Sequence, residues 1–262
     1  MRRSDPSQRP QTSESPTKRG RNVGLARAIS KLGYCSRAQA AALISAGRVR
    51  LNGAVRRNAE TPVHLGRDKI EVDEKHIRAA KKIYRMLNKP RGVVTTAADE
   101  KGRQTVYDFL RGEIPWVAPV GRLDQASEGL LLLTNDSEWA ARILAPQTHL
   151  QKTYHVQIAA LAGDALLEAL RRGVREGGDL LRVARASLLR HGERNSWLEI
   201  VLEEGKNRHI RRMLKALGVD VLRLMRVAIG GLPLGDLKKG ASRALTASEK
   251  LLLDSGLRNK KA

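Results

Sequence analysis

Leu25, Ala28, Ile29 and Leu32 recur at the three- and four-residue spacing of one helix face, and Gly33 follows as a stop. A second helix is expected to open at Ser36, which has capping-box spacing to Gln39, and to run through Leu43 and Ile44 to Gly47. Val49 and Leu51 then lead into Asn52-Gly53 and Val55. That pattern predicts a hairpin, because Asn-Gly accepts the positive φ angles of a tight turn. Ile70 and Val72 predict one more strand. Residues 23–75 thus form a small helix–helix–hairpin unit, preceded at 1–22 by a basic, Ser-, Pro- and Gln-rich stretch expected to be a disordered tail.

A basic linker at 76–82 leads to a second domain, expected over 83–253 and followed by a basic tail at 254–262. Its first strand carries Tyr84, Met86 and Leu87 and stops at Asn88-Lys89-Pro90-Arg91-Gly92. Further strands are predicted at 130–133, around Tyr154, Val156 and Ile158, and at 197–202. Helices are predicted through Trp139, Ile143 and Leu144, at 166–170 and at 209–217. The alternation is irregular and no Gly-rich phosphate loop follows a strand, so dinucleotide-binding and P-loop arrangements are unsupported. The expected class is α+β, with a mixed, mainly antiparallel sheet in the larger domain.

Charge adds a partner to this outline. Lys and Arg number 49 against 27 Asp and Glu, a formal net charge of +22, which points to a polyanion. Arg27, Lys31, Arg37, Arg48 and Arg50 give the N-terminal unit a basic face. A single Cys35 excludes an internal disulfide framework, and the six His show no metal-ligand spacing. With no secretory signal and no apolar run of membrane-spanning length, the chain is expected to be cytoplasmic, free of metal and cofactor, and monomeric.

The residues able to do chemistry are few. Asp124 lies in Gly121-Arg122-Leu123-Asp124-Gln125-Ala126-Ser127-Glu128-Gly129, polar groups held by an apolar strand. By itself such an Asp is more often a turn residue making local backbone bonds than a nucleophile. Tyr154 on an alternating strand reads in isolation as an ordinary core aromatic, although aromatic residues are only 3% of the chain and a displaced base needs a flat surface. Arg208, Arg211, Arg212 and Lys215, at helical spacing, read equally as phosphate contacts.

The run from Leu25 to Leu32, with Gly33-Tyr34-Cys35-Ser36-Arg37, Ile44-Ser45-Ala46-Gly47, Val49 and Asn52-Gly53, resembles the alpha-L RNA-binding module. Four later segments agree in order with the RsuA-type family of ribosomal RNA pseudouridine synthases. They are Lys89-Pro90-Arg91-Gly92-Val93, Gly121-Arg122-Leu123-Asp124, Lys152-Thr153-Tyr154 and Glu204-Gly205-Lys206-Asn207-Arg208-His209-Ile210-Arg211-Arg212-Met213. The resemblance implies isomerisation of a uridine in ribosomal RNA or a precursor ribosomal particle, large-subunit RNA rather than small. It implies Asp124 as an ionised nucleophile, Arg211 as the cation that keeps it charged and oriented, and Tyr154 stacked on the uracil. Arg122 would fill the vacated stack or contact phosphate, and Lys89, Arg91, Lys152, Lys206, Asn207, Arg208 and Arg212 would hold RNA beside the basic face of Arg27, Lys31, Arg37 and Arg48. His209 departs from the family pattern, where Gln is usual, and serves equally as a structural residue or as one that makes a contact to Arg211 or a nucleotide pH-dependent. A non-catalytic RNA-binding assembly factor or regulator would share the architecture, and a DNA-binding regulator would share the N-terminal helices.

Overall fold

The computed structural model describes residues 22–97, 99–110 and 115–257. All but the last residue of the 1–22 tail, and 258–262 of the C-terminal tail, lie outside the described residues. The described chain divides into two compact units: residues up to Ile29 with Arg37–Ile77, and Ser30–Ser36 with everything from Arg78.

Helix Leu25–Lys31, which belongs to the first unit as far as Ile29, and helix Arg37–Ser45 are followed by Gly33 and Gly47 at positive φ, as helix stops require. Leu25, Ala28, Ile29, Ala40 and Ile44 are buried at the expected spacing. Val49–Leu51 pairs with Ala54–Val55 through Asn52 (φ 53°) and Gly53 (φ 81°), a two-residue turn with both central φ positive. On its other side Val49–Leu51 pairs with Ile70–Val72, which returns through Asp73 and Glu74, also at positive φ, to Lys75–His76.

The second unit is organised by a sheet of nine strands among the described residues. Its order is Arg185–His191, Ser196–Leu202, Lys152–Ile158, Val221–Ile229, Glu128–Thr134, Tyr84–Lys89, Ser242–Ala244, with Leu232–Pro233 and Ala118–Pro119 as short additions. Every pairing is antiparallel except Val221–Ile229 against Glu128–Thr134. Gly129 permits that parallel contact: its φ is 103°, and a Cβ there would stand 2.3 Å from the Arg226 carbonyl oxygen. The sheet is therefore mixed and mainly antiparallel, as the α+β expectation held.

Glu128–Thr134 is buried along its whole length and feeds two cores. Leu130 and Leu132 pack with Trp139, Ile143 and Leu253, from helices Ser137–Leu144 and Ala247–Gly256. Leu131 and Leu133 pack with Val93, Val106, Val117 and Leu123 on the opposite face. A third core lies under helices Asp164–Arg172 and His209–Ala216, where Leu167, Leu170, Ile210, Met213 and Leu214 cover Val156, Ile158, Leu198 and Ile200.

Several elements were absent from the sequence pattern. Val221–Ile229, at the centre of the sheet, places a charged residue, Arg226, at a buried position and so hides its alternation. Arg185–His191, Ser242–Ala244 and the hairpin of Val174–Glu176 with Asp179–Leu181 are likewise unannounced. Helix Ala247–Gly256 starts at a capping box of Thr246 and Glu249 and continues past residue 253, the domain end that the sequence pattern predicts.

Candidate active site

The loop between Ala118–Pro119 and Glu128–Thr134 carries Asp124, and the chain ties it down at almost every residue. Leu123 is buried, and its carbonyl accepts from the Thr95 hydroxyl at 2.8 Å. The Gln125 carbonyl accepts from the Gly92 amide at 2.7 Å, while its side-chain amide donates back to the Gly92 carbonyl at 3.1 Å. Ser127 closes a turn onto the Asp124 carbonyl at 3.0 Å. Such a loop holds its side chain at a set position on a rigid support.

The strongest anchor is Lys89, which is fully buried. Its ammonium donates to the carbonyls of Pro90 (3.1 Å), Asp124 (3.1 Å) and Ser127 (2.8 Å). Burial pushes its pKa down to about 8, against the opposing pull of Asp124 and Glu128. The expectation that Lys89 grips RNA is thus corrected: a side chain with no exposed surface cannot reach a phosphate, and all three of its donors are used within the protein.

Asp124 opens onto a cavity of about 490 Å³ within the second unit. Its carboxylate makes no hydrogen bond or close ion pair among the described residues. It is the only acidic side chain on a wall that carries Arg122, Lys152, Lys206, Arg208, Arg211 and Arg226. Tyr154 lines the same cavity and packs at the junction of two cores. Apolar surface from Val120, Leu144, Leu202 and Ile229 completes a pocket of the size and mixed character that takes a small organic group. No group of His, Cys, Asp or Glu among the described residues is arranged to hold a metal ion.

Arg211 reaches the cavity from the first turn of His209–Ala216 but closes no ion pair with Asp124. Its guanidinium donates to the carbonyls of Ala126 (3.0 Å) and Val221 (3.4 Å), so it braces the turn that follows Asp124 and acts on the carboxylate through space. Burial lowers its pKa, as does neighbouring Arg208, while Asp124 opposes them.

The other basic residues divide by what they touch. Arg122 and Arg208 are exposed and unpaired among the described residues, and Asn207 is exposed beside them on the wall. Lys152 is half-buried with one long contact, 3.5 Å, to the Glu203 carbonyl, and burial lowers its pKa. Arg91 donates to the Leu222 carbonyl at 3.2 Å. Lys206 lies 3.6 Å from Asp179 and 3.9 Å from Glu204.

Three further expected RNA contacts are engaged by carboxylates at hydrogen-bond distance. Arg212 is held by Glu176 and Asp179 of the Val174–Leu181 hairpin, which turns it away from phosphate. Arg48 forks onto Asp73, and Lys31 lies 2.9 Å from Glu138. Arg27 and Arg37 remain exposed in the first unit.

His209 is buried on the cavity wall with neither ring nitrogen hydrogen-bonded to a side chain, and Nδ1 is 3.9 Å from Glu204. Burial lowers its pKa despite that carboxylate, with Lys206 and Arg212 adding to the lowering. The unfolded chain therefore binds this proton more readily, and stability held above about pH 6.5 is lost as pH falls below it. Thermal melts between about pH 7.5 and 5 should show a His209→Gln variant losing a few degrees less than the parent. Equal losses would mean that His209 is not the group responsible.

Pattern alone could not reveal the inward-facing Lys89 and Arg226, nor Glu128, which is buried between Arg223 and Lys239. A charged residue inside an otherwise apolar strand was the one visible signal.

The RNA pseudouridylate synthase family profile matches residues 83–216, and the S4 domain profile matches residues 23–69. The chain is 37% identical over 227 residues to ribosomal large subunit pseudouridine synthase B of Bacillus subtilis (strain 168), covering 86% of this chain and 93% of that protein. An uncharacterized RNA pseudouridine synthase of Aquifex aeolicus (strain VF5) is 36% identical, over 87% of this chain and 92% of its own length. A crystal structure of a pseudouridylate synthase superposes with a TM-score of 0.62 at 29% identity, covering 88% of this chain and 99% of that one. The cavity with its single carboxylate falls largely within the matched segment, and the chain belongs to the RNA pseudouridylate synthase family, with an S4 domain ahead of the catalytic part.

Proposed function

We propose that this enzyme converts one uridine of large-subunit ribosomal RNA to pseudouridine, with Asp124 as the nucleophile, acting as a cytoplasmic monomer on RNA or a precursor particle. The observation that carries the nucleophile is Asp124 itself: one carboxylate, without a hydrogen-bond partner among the described residues, on a cavity wall with six Lys and Arg side chains. The choice of RNA leans on the Bacillus subtilis relative, whose name specifies the ribosomal large subunit.

In this reading the target uridine leaves its stack at a cost of a few kcal/mol and enters the cavity, where Tyr154 offers its ring to the uracil. Arg122, exposed beside Asp124, fills the space the base vacates. Arg211 orients the Asp124 turn through the Ala126 carbonyl and supplies positive charge next to the carboxylate. Arg208, Asn207, Lys206, Lys152 and Arg91 meet the phosphates, with Arg27 and Arg37 of the N-terminal module (23–75) extending the grip. The linker at 76–82 then joins that module to the catalytic domain.

Mapping pseudouridines in ribosomal RNA from cells with and without the gene tests activity and target together. Loss of one large-subunit site is the expected result, and an unchanged map would overturn the proposal. The phosphate assignments carry a separate check. Arg208→Ala should weaken RNA binding and reduce the slope of log affinity against log salt by about one, whereas Arg212→Ala should leave that slope unchanged. A slope lowered by the Arg212 substitution would return it to the RNA-facing set.

A further inference from the structure

We infer that Arg226 is a catalytic residue that donates a hydrogen bond to a uracil carbonyl oxygen of the inserted uridine and stabilises the negative charge the rearrangement puts on the base. The inference rests on the proposed function and adds to it a group that none of the family segments contains.

Arg226 is 6% exposed, yet it lines the cavity. Its Nε donates to the Leu130 carbonyl at 2.7 Å, which fixes the guanidinium, while Nη2 is buried with no partner among the described residues. A buried charged donor left unpaired is costly, so an acceptor entering the cavity gains from meeting it. Its neighbour is Tyr154: the two are directly paired across adjacent strands, so their side chains share one face of the sheet about 5 Å apart. On the other side Arg226 pairs with Gly129, which contributes no side chain and lies close against the Arg226 backbone. Lys152, on the same wall, feels the positive charge of Arg226, so the two cations have more to gain from a negative group than either has alone.

The chemistry generates such a group. Isomerisation breaks the N1–C1′ bond with its electron pair kept on the base, forms C5–C1′, and exchanges the C5 proton for one at N1. If Asp124 attacks the ribose, the freed base carries the pair over N1, O2 and O4. If Asp124 attacks the ring at C6, the charge passes to O4. Both routes load a carbonyl oxygen of the uracil, and a fixed donor aimed at that oxygen lowers the barrier without reorganisation. Phosphate fits the position less well. A phosphodiester remains in the backbone of the RNA, near exposed Arg122 and Arg208, whereas only the base is inserted beside Tyr154.

The test uses the full chain and an rRNA fragment containing the target, with single-turnover rates at saturating enzyme and affinities measured over a salt series. Arg226→Met is expected to slow the chemical step by about 100-fold, the usual effect of removing one oxyanion donor, with affinity and salt slope unchanged. Arg226→Lys, which keeps a charge and a donor for Leu130, should recover part of the rate. If the methionine variant does not fold, the substrate supplies the readout. Replacing the target with 2-thiouridine or 4-thiouridine weakens one acceptor at a time, and one of the two should slow the parent enzyme more than it slows Arg226→Lys. Equal slowing, full activity in either variant, or weaker binding with a salt slope lowered by about one would overturn the inference, the last in favour of a phosphate contact. A parent enzyme that forms no pseudouridine would sink the proposed function and this inference with it; an active parent matched by its variants would sink only the inference.

Discussion

Replacing Asp124 by Asn is expected to reduce pseudouridine formation by a factor on the order of 10⁴ or more, with RNA affinity held within about threefold. The exchange preserves shape and removes only the charge. Since the carboxylate makes no hydrogen bond or close ion pair among the described residues, no bond of the loop is broken. The anchors that hold this segment, from Thr95, Gly92 and Lys89, all reach its backbone or Gln125 and stay in place. Stability should therefore change little, which separates a chemical defect from a folding one. Single-turnover assay of the Asn variant with the rRNA substrate is the measurement, and retained turnover would refute the nucleophile.

Lys89→Met should produce the second-largest effect, by a different path. Three carbonyls lose their only side-chain donor; that of Asp124 keeps the Ser127 amide, and each of the others left unmet costs about 1–3 kcal/mol. Removing a buried charge offsets part of that. A net loss of about 2 kcal/mol is expected, with a loop free to shift by an ångström, enough to slow the reaction about 100-fold. RNA affinity and its salt slope should be unchanged, and a slope lowered by one would mean that Lys89 faces RNA after all. The titration gives an independent sign. Lys89 is lowered from 10.5 to about 8 in the folded protein, so the unfolded chain holds that proton more tightly. The cost of burying the charge is paid in full below about pH 8 and is relieved as pH rises from there towards 10.5. The parent should gain stability over that window relative to Lys89→Met, and parallel curves would show that the ammonium is not buried.

Strands and helices whose pattern is carried by apolar side chains were legible in the sequence. The Asn52-Gly53 hairpin, the 130–133 run inside Glu128–Thr134, and the helices Ser137–Leu144 and His209–Ala216 all fall where the periodicity predicted. The central strand Val221–Ile229 was not legible, because Arg226 occupies an inward position that a binary pattern assigns to solvent. Cationic side chains were legible as a set and not singly. Charge and motif order pointed to RNA, but Arg212, Arg48 and Lys31 turn out to be neutralised by carboxylates far away in sequence, which no local window contains. Lys89 failed in the opposite sense: a lysine beside a Pro-Gly turn reads as surface, and only the closure of the Asp124 loop over it creates three acceptors deep enough to justify burying its charge.

By itself, then, the sequence determined the α+β class, the two-part organisation, the basic character and the ordered motifs that include Asp124, since each of these depends on residue type and short-range spacing. Tertiary structure alone decided the partner of each cation. It sent the Arg211 guanidinium to the Ala126 and Val221 carbonyls, the Lys89 ammonium under the loop, and Arg226 beside Tyr154 with one donor unmet. The physical reason is that a charged group's role depends on which acceptors surround it and how much water is excluded, and both are properties of chain segments brought together by the sheet.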